Sequence, residues 1–298
     1  MKCASVAIIG RPSSGKSTLV NTICEMKVSI TAATPQTTRN AIRGIYTDSR
    51  GQLIFTDTPG YHISGQKLNL KLQETAVESL SDSDMVLYIL DPTRKGGSEE
   101  EAICALLAKI KSPIIAVINK SDIATENQQD EATAFLKDHL PQAEILKATG
   151  LKDEGVDEIL IALFSHAPEG PMLYPESERT DQSLEFRVSE IIREKAIATV
   201  TDEIPHAIYI ELSDLENQVA TNTIWVRAFI VVETESQKGI VIGKGGANIK
   251  RIRVAAFKDI RNIFPGRKLQ LDLRVKAQSK WRKNDQILAR IIDKTDKQ

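Results

Sequence analysis

The stretch that decides the fold is Gly10-Arg11-Pro12-Ser13-Ser14-Gly15-Lys16-Ser17, followed by Thr18. It fits the pattern G-x-x-x-x-G-K-[ST], and it lies between an apolar run of strand type, Ser5–Ile9, and a helical pattern, Thr18–Ile23. In that context the glycines let backbone N–H groups approach phosphate oxygens, and the helix N-terminus favours negative charge. Lys16 would reach the β- and γ-phosphates, and the Ser17 hydroxyl would bind Mg²⁺. The stretch therefore predicts a nucleoside triphosphate site without indicating the base.

A second motif, Asp57-Thr58-Pro59-Gly60, follows the predicted strand Gln52–Thr56. An Asp at the carboxyl end of a strand can hold Mg²⁺, and the N–H of the following Gly can contact a γ-phosphate. The tetrapeptide alone is common, but after a phosphate loop it strongly indicates a triphosphate sensor. We expect Asp57, Thr58, Pro59 and Gly60 all to lie at the nucleotide.

Between these motifs lies a polar loop, Ile30 to Asn40, rich in Thr and Ala. We expect Thr38 from this loop to join Ser17 and Asp57 as a Mg²⁺ ligand, with Thr37 as the alternative. A bound triphosphate would hold Thr38 and the Gly of the second motif, and hydrolysis would release both segments. The candidate catalytic residues are Lys16, Thr38 and Gly60.

Two nearly continuous apolar runs, Met85–Leu90 and Ile114–Ile118, are typical of strands buried on both faces of a parallel sheet. Helical patterns at about 70–80 and 99–110 precede and separate them. The alternation predicts a doubly wound α/β domain whose ligands bind beyond the carboxyl ends of the strands.

At one such end stands Asn119-Lys120-Ser121-Asp122, an N-K-x-D motif. The Asp122 carboxylate can accept from both N1–H and the exocyclic amine of guanine, a donor pair that adenine lacks. Lys120 would lie along the base, and Asn119 would brace the loop. One strand later Thr149-Gly150-Leu151 suits a backbone contact to the guanine edge, although it departs from the usual Ser-Ala-x. GTP and GDP are the predicted ligands, and an ATPase or kinase is nearly excluded.

The position after the second motif lacks the Gln that orients the attacking water in Ras-like enzymes. Tyr61 stands there, and its hydroxyl lies too far out for the same task. His62 could act as a base, although a loop His is more often a simple polar residue. We therefore expect a slow intrinsic hydrolase that depends on backbone groups and the metal, and the sequence leaves the need for an activating partner open.

Charge is distributed unevenly over the 298 residues. Residues 238–298 contain 17 Lys+Arg and 5 Asp+Glu, a net charge of +12, so the rest of the chain carries −13. A basic end on an acidic body indicates a polyanionic partner. Cys3, Cys24 and Cys104 lack metal-like spacing and suit a reducing compartment, and no apolar run is long enough to span a membrane. We expect a cytoplasmic protein.

A Pro-rich, polar stretch at residues 168–183 predicts a linker between two domains. The first domain is expected at 1–167, a smaller α+β domain at 184–279 and a basic helix or tail at 280–298. In the second domain residues 184–200 have helical spacing, while 207–212, 223–233 and 269–275 have the character of strands.

The second domain contains an I-G-x-x-G motif between a predicted strand and a helix rich in Lys and Arg. Its glycines would let the backbone of a single-stranded RNA approach closely, as in the GXXG loop of a KH domain. The candidate RNA-binding residues are Ile242, Gly243, Lys244, Gly245, Gly246, Lys250, Arg251 and Arg253.

The chain ends in a basic amphipathic pattern that begins at Trp281. It could pack on the KH core or contact a membrane surface. Trp281 itself could stack on a base or pack in the core. The sequence leaves both pairs of alternatives open.

The ordered set GRPSSGKS, PQTTR, DTPG and NKSD, a PEGP-x-x-YP linker and IGKGG resembles the Era family of bacterial GTPases along essentially the whole chain. The resemblance implies a Ras-like P-loop domain followed by a type II KH domain, and GTP hydrolysis with Mg²⁺. It implies binding near the 3′ end of small-subunit ribosomal RNA and a role in maturation of the small ribosomal subunit. It also implies a peripheral association with the membrane, and we expect a monomer.

Ser13 departs from this resemblance, because many relatives have Asn there to help hold a potassium ion. The sequence therefore leaves open whether potassium stimulates hydrolysis. Two functions remain open: a GTP-controlled switch acting on RNA, and an RNA-binding assembly factor in which GTP is mainly a structural ligand. Intact Lys16, Thr38 and Asp57 favour the switch.

Overall fold

The computed structural model describes residues 1–31, 38–62, 67–201 and 203–292. The described residues form two compact units: residues 1–31 with 38–181, and residues from 182 onward. Thr37, the alternative Mg²⁺ ligand, lies outside the described residues.

The first unit is a six-stranded sheet in the order β2-β3-β1-β4-β5-β6, in which only the β2–β3 pair is antiparallel. Its elements are β1 (Lys2–Ile9), α1 (Lys16–Ile23), β2 (Ile42–Asp48), β3 (Gly51–Asp57), α2 (Lys67–Ser81), β4 (Met85–Leu90), α3 (Ser98–Leu107), β5 (Ile114–Ile118), α4 (Glu126–His139), β6 (Glu144–Lys147) and α5 (Val156–His166). The predicted doubly wound α/β domain is confirmed.

The core of this unit follows from the two apolar runs noted in the sequence. Every residue of β4 and β5 is buried. Leu107 of α3 and Leu136 of α4 pack in the cluster that contains Val86 and Ala116. Because β1, β3, β4 and β5 are parallel, their carboxyl ends meet at one edge, where the predicted nucleotide motifs begin.

The segment predicted as a linker at 168–183 belongs to the first unit as far as residue 181. The side chain of Gln52 is fully buried in β3, and its Oε1 accepts from the N–H groups of Leu173 and Tyr174 at 2.9 and 3.0 Å. Ile45 of β2 donates its N–H to Arg179 O at 2.9 Å. Residues of β2 and β3 thus form hydrogen bonds with the backbone of this segment, although its composition alone predicts a linker that packs on neither domain.

The second unit packs helices against a three-stranded sheet in the order β7-β8-β9, with β7–β8 antiparallel and β8–β9 parallel. Its elements are α6 (Leu184–Ile197), α7 (Ile204–Ala207), β7 (Tyr209–Gln218), β8 (Thr223–Val232), α8 (Glu235–Ile242), α9 (Ala247–Ile263), β9 (Lys268–Ala277) and α10 (Asp285–Ile292). Alternate residues of β8, among them Val226 and Ala228, face a hydrophobic core. Ile252 and Ala256 of α9 pack in the same core. This is the predicted α+β domain.

The predicted tail at 280–298 begins inside the second unit. Trp281 is fully buried, its ring lies edge-on to Tyr209 at 4.8 Å, and its Nε1–H donates to Ala207 O at 2.9 Å. Trp281 is therefore a core residue and does not stack on a base. In the part of the chain that the structure describes, no helix has the length and apolar character needed to cross a membrane.

Candidate functional site

The phosphate loop lies at the carboxyl end of β1 and leads into α1, which begins at Lys16. Gly15 caps the helix at φ 97°, and a Cβ there would lie 2.2 Å from Asn119 Nδ2, so only glycine fits. Lys16 is buried and its Nζ donates to Gly10 O at 3.0 Å and Arg11 O at 2.9 Å. Burial lowers the pKa of Lys16 to about 8, against the opposing charges of Asp57 and Glu100.

The three predicted Mg²⁺ ligands come together from three separate segments. Ser17 Oγ donates to Asp57 Oδ2 at 2.7 Å and lies 3.0 Å from Thr38 Oγ1. Asp57 is fully buried, and burial raises its pKa although the charge of Lys16 and the hydrogen bond from Ser17 oppose the shift. Among the described residues Asp57 Oδ1 has no hydrogen-bond partner. A buried carboxylate with a spare oxygen beside two hydroxyls fits Mg²⁺, which prefers oxygen ligands.

The second motif is tied directly to the phosphate loop. Thr58 Oγ1 donates to Ile8 O at 2.5 Å, and the N–H of Tyr61 donates to Gly10 O at 3.0 Å. A Cβ on Gly60 would lie 2.7 Å from Pro12 Cα, so the backbone of Gly60 lies against the phosphate loop. The second motif therefore lies directly against the loop predicted to bind phosphates.

Asn119 joins the phosphate loop to the base loop. Its Nδ2 donates to Ser14 O at 2.9 Å, and its Oδ1 accepts from the N–H of Gly150 at 3.0 Å. Asn119 is 3% exposed, and its two hydrogen bonds link both loops, whereas the sequence predicted only that it braces its own loop. Thr149 is buried beside this contact, whereas Leu151 is exposed.

Lys120 and Asp122 flank the place predicted for guanine. Lys120 Nζ donates to Ser13 O at 2.8 Å and to Asp91 Oδ2 at 2.6 Å. Asp122 Oδ2 lies 3.1 Å from Lys152 Nζ, with its side chain 13% exposed. The Asp122 carboxylate thus forms an ion pair with the exposed Lys152.

The I-G-x-x-G motif forms the turn between α8 and α9, so a helix precedes it and not the strand that the sequence suggested. Gly243, Gly245 and Gly246 all have positive φ. A Cβ on Gly245 would meet no atom within 4 Å, and Lys244 and Gly245 are exposed. The tip of the turn is therefore open to a ligand.

The other candidate RNA residues lie around this turn. Lys250, Arg251 and Arg253 are exposed on the first turns of α9, while Ile242 ends α8 and is half-buried. Arg251 Nη2 donates to Asn248 Oδ1 at 3.3 Å. The turn and its cations form one surface of the second unit.

Residues 5–120 match the family model of the 50S ribosome-binding GTPases, and residues 203–282 match the KH domain. The chain is 49% identical over 294 residues to the GTPase Era of Treponema denticola, covering 98% of this chain and 99% of that protein. The chain belongs to the Era family of GTPases. It is also 41% identical to the GTPase Era of Borreliella burgdorferi, covering 98% of this chain and 100% of that one.

Two solved Era structures share the complete architecture at 32% sequence identity. One is a variant of Aquifex aeolicus Era bound to GDP·AlF4⁻, with a TM-score of 0.92 over 98% of this chain and 99% of that one. The other is Era in complex with MgGDPNP and nucleotides 1506–1542 of 16S ribosomal RNA, with a TM-score of 0.93 over 98% of both chains. The Ras-like domain and the KH domain are therefore both established, and this Era-family chain is a GTPase.

Sequence reasoning missed the segment after β4, which reaches both halves of the nucleotide site of this Era-family protein. Asp91 holds Lys120, and Arg94 Nη1 donates to Pro12 O at 2.8 Å. Asp91 could have been found from its position, since it directly follows a strand at the ligand-binding edge. No pattern marked Arg94.

Sequence reasoning also missed Glu99, on the first turn of α3. It contacts Arg11 of the phosphate loop and His62, the residue considered as a base. In a sequence without the structure, the run Glu99 to Glu101 suggests only a solvated face.

Proposed function

We propose that this Era-family GTPase is a switch that binds GTP with Mg²⁺, hydrolyses it slowly to GDP, and binds single-stranded ribosomal RNA through its KH domain. Its RNA site would be near the 3′ end of small-subunit ribosomal RNA, and its role would be in maturation of the small subunit. We infer a cytoplasmic protein, consistent with its three free thiols. A monomeric state and contact of the basic end with a membrane surface stay predictions; vesicle co-sedimentation would test the latter.

The observation that carries the nucleotide half is the meeting of Ser17, Thr38 and Asp57. Ser17 ends the phosphate loop, Thr38 lies in the polar loop at 30–40, and Asp57 ends β3. Bound Mg²⁺ would neutralise charge on the phosphate oxygens. The metal would add a bond to Thr38 only while a triphosphate occupies the site, which is how hydrolysis could be signalled to the rest of the chain.

The chain's own groups would perform most of the catalysis. Lys16 would move from the carbonyl oxygens that it now contacts to the β- and γ-phosphates, whose negative charge favours its protonated form and opposes the lowering of its pKa by burial. The N–H of Gly60 would face the γ-phosphate from its position against Pro12. Since no Gln follows Gly60 to orient water, intrinsic turnover should be slow.

The RNA half rests on the exposed turn at Gly243–Gly246 and the cations that follow it. Glycine backbone and nearby cations suit phosphate and sugar contacts with about four nucleotides. The Era structure solved with 16S ribosomal RNA nucleotides supports the same ligand class here. The net charge of +12 over residues 238–298 adds a long-range attraction to any RNA.

The nucleotide half is tested by Mg²⁺-dependent GTP hydrolysis in two variants at one position. Thr38→Ala should lower the rate about tenfold or more, since it removes a metal ligand, while Thr38→Ser keeps the hydroxyl and should retain most of the activity. GDP affinity should change little in either variant, because the GDP state does not need Thr38. Equal rates in all three proteins would refute the assignment of Thr38.

The rival function, in which GTP is mainly structural, makes a different prediction for the RNA. If Lys16→Ala abolishes GTP binding but RNA affinity is the same in every nucleotide state, the assembly-factor function is favoured. If RNA affinity differs between the GDP- and GTP-bound wild type and not in Lys16→Ala, the switch stands.

A further inference from the structure

Glu99 joins two segments of the nucleotide site, the phosphate loop and the residues after Gly60. Its Oε2 accepts from Arg11 Nε, in the phosphate loop, at 2.8 Å. Its Oε1 accepts from Nδ1–H of His62, two residues after Gly60. The Glu99 side chain is 16% exposed and that of Arg11 is 15% exposed, so this contact is largely shielded from water.

Glu99 is present as a carboxylate. Burial alone would raise its pKa, but the hydrogen bonds from His62 and Arg11 outweigh burial and hold the pKa below its ordinary value. Because an ionised carboxylate can only accept hydrogen bonds, both oxygens of Glu99 are acceptors and His62 Nδ1 is the donor.

The backbone around His62 is held at two further points. The N–H of Tyr61 donates to Gly10 O at 3.0 Å, and His62 O accepts from Gln73 Nε2 of α2 at 2.6 Å. These contacts fix the chain that leaves Gly60 while Gly60 itself lies against Pro12. The side chain of His62, which is 40% exposed, is anchored only through Glu99 in the described part of the chain.

We infer that Glu99 is a positioning residue for GTP hydrolysis. Through His62 it holds the segment after Gly60 against the phosphate loop, in the place where the γ-phosphate sensor must act. This enzyme lacks a water-orienting Gln after Gly60, so its rate depends on the position of backbone groups, and small displacements of such groups are costly. The inference rests on the proposed GTP hydrolysis at this site.

Arg11 and His62 depend on Glu99 to different degrees. Arg11 Nη1 also lies 3.7 Å from Glu100 and donates to Lys95 O at 3.3 Å, so it keeps partners when Glu99 is removed. His62 keeps none for its ring among the described residues. Loss of Glu99 should therefore free the His62 ring and loosen the segment after Gly60, which keeps its two backbone hydrogen bonds, and leave the phosphate loop largely in place.

The test is single-turnover GTP hydrolysis by the full chain carrying Glu99→Ala, with Glu101→Ala as the matched control. Both residues lie on the first turn of α3, but Glu101 is exposed and away from the Glu99 contacts. Glu99→Ala should lower the hydrolysis rate about tenfold or more, because it removes a charge-assisted hydrogen bond from the segment after Gly60. Its affinities for GTP and GDP should stay within about twofold of wild type, and Glu101→Ala should match wild type in all respects.

A double-mutant cycle with His62→Ala identifies the route of the effect. His62→Ala should lower the rate by the same factor as Glu99→Ala, and the double variant should be no slower than either. If the two effects multiply, or if Glu99→Ala hydrolyses GTP at the wild-type rate, the inference is overturned. A much larger loss in His62→Ala than in Glu99→Ala would overturn it as well and favour His62 as a base.

The experiment distinguishes failure of the proposed function from failure of the inference about Glu99. Wild-type protein without Mg²⁺-dependent hydrolysis would refute both the function and the inference. A fall in GDP affinity with Glu99→Ala would overturn the inference alone, because it would mean that Glu99 supports the phosphate loop through Arg11.

Discussion

Replacing Asn119 by alanine should separate the phosphate loop from the base loop. The side chain is 3% exposed, and both of its polar atoms are used: Nδ2 on Ser14 O at 2.9 Å and Oδ1 on the N–H of Gly150 at 3.0 Å. Alanine leaves these two backbone groups without partners, at roughly 1–3 kcal/mol each, or about 2–4 kcal/mol together if water reaches part of the gap. That is a large fraction of the about 5–15 kcal/mol by which a domain is stable.

The positions of the tryptophans make it possible to assign this loss of stability to the first unit. Its two tryptophans, Trp225 and Trp281, both lie in the second unit, so their fluorescence follows that unit, whereas far-UV circular dichroism follows both. In urea, Asn119→Ala should shift the circular-dichroism transition of the first unit to lower denaturant and leave the fluorescence midpoint in place. GDP affinity should fall at the same time.

Asn127→Ala is the matched control for this experiment, because Asn127 is an exposed Asn of the same unit whose Nδ2 contacts only Glu131, at 2.8 Å, among the contacts observed. It should change neither stability nor GDP affinity by a measurable amount. If Asn119→Ala behaves like Asn127→Ala in both assays, the bracing role of Asn119 is refuted.

Three further predictions concern the core, the pH dependence and the base. Trp281→Ala should destabilise the second unit by about 3–5 kcal/mol in urea unfolding, because it empties a core site and leaves Ala207 O without its donor; a loss below about 1 kcal/mol would contradict its core position. Burial raises the pKa of Glu100 above its ordinary 4.5, so the folded state keeps this proton longer and the first unit should lose stability as pH rises from 4.5 to the raised value. Glu100→Gln, which can still accept from the Tyr88 hydroxyl, should flatten this slope in unfolding measured against pH, and an unchanged slope would contradict the assignment. Asp122→Asn should shift nucleotide preference from guanosine towards xanthosine diphosphate in competition binding, and an unchanged preference would refute the guanine contact.

The strands and nucleotide motifs of the first unit were predictable because local signals and tertiary structure agree there. The runs Met85–Leu90 and Ile114–Ile118 became β4 and β5 with the predicted bounds, since strands buried on both faces need uniformly apolar residues. Each nucleotide motif is a loop that directly follows a strand, so its place at the sheet edge follows from chain order alone.

The course of residues 168–181 was not predictable, because it depends on partners distant in the sequence. Its proline-rich composition predicted a linker, but Gln52 and the N–H of Ile45 supply its hydrogen bonds. The position of Trp281 was left open for the same reason. Its partners Ala207 and Tyr209 lie on other elements.

The contacts of Glu99 show a third limit. Three consecutive glutamates at the start of a helix are typical of a solvated surface, where their negative charges interact favourably with the helix dipole. Only the fold brings Arg11 and His62 to one of them. Long-range polar contacts of this kind leave no periodic signal in a sequence.

The central claim is that nucleotide and RNA sites are coupled in one molecule, and the most direct test is stimulation of GTP hydrolysis by a single-stranded RNA from the 3′ end of small-subunit ribosomal RNA. The matched variants are Gly245→Asp and Gly245→Asn, which differ in charge but both tolerate φ 59° in the open turn. We predict stimulation in wild type and in Gly245→Asn, and its loss in Gly245→Asp, whose carboxylate repels the phosphate backbone. RNA that binds wild type without changing the rate, or that stimulates Gly245→Asp equally, would contradict the account.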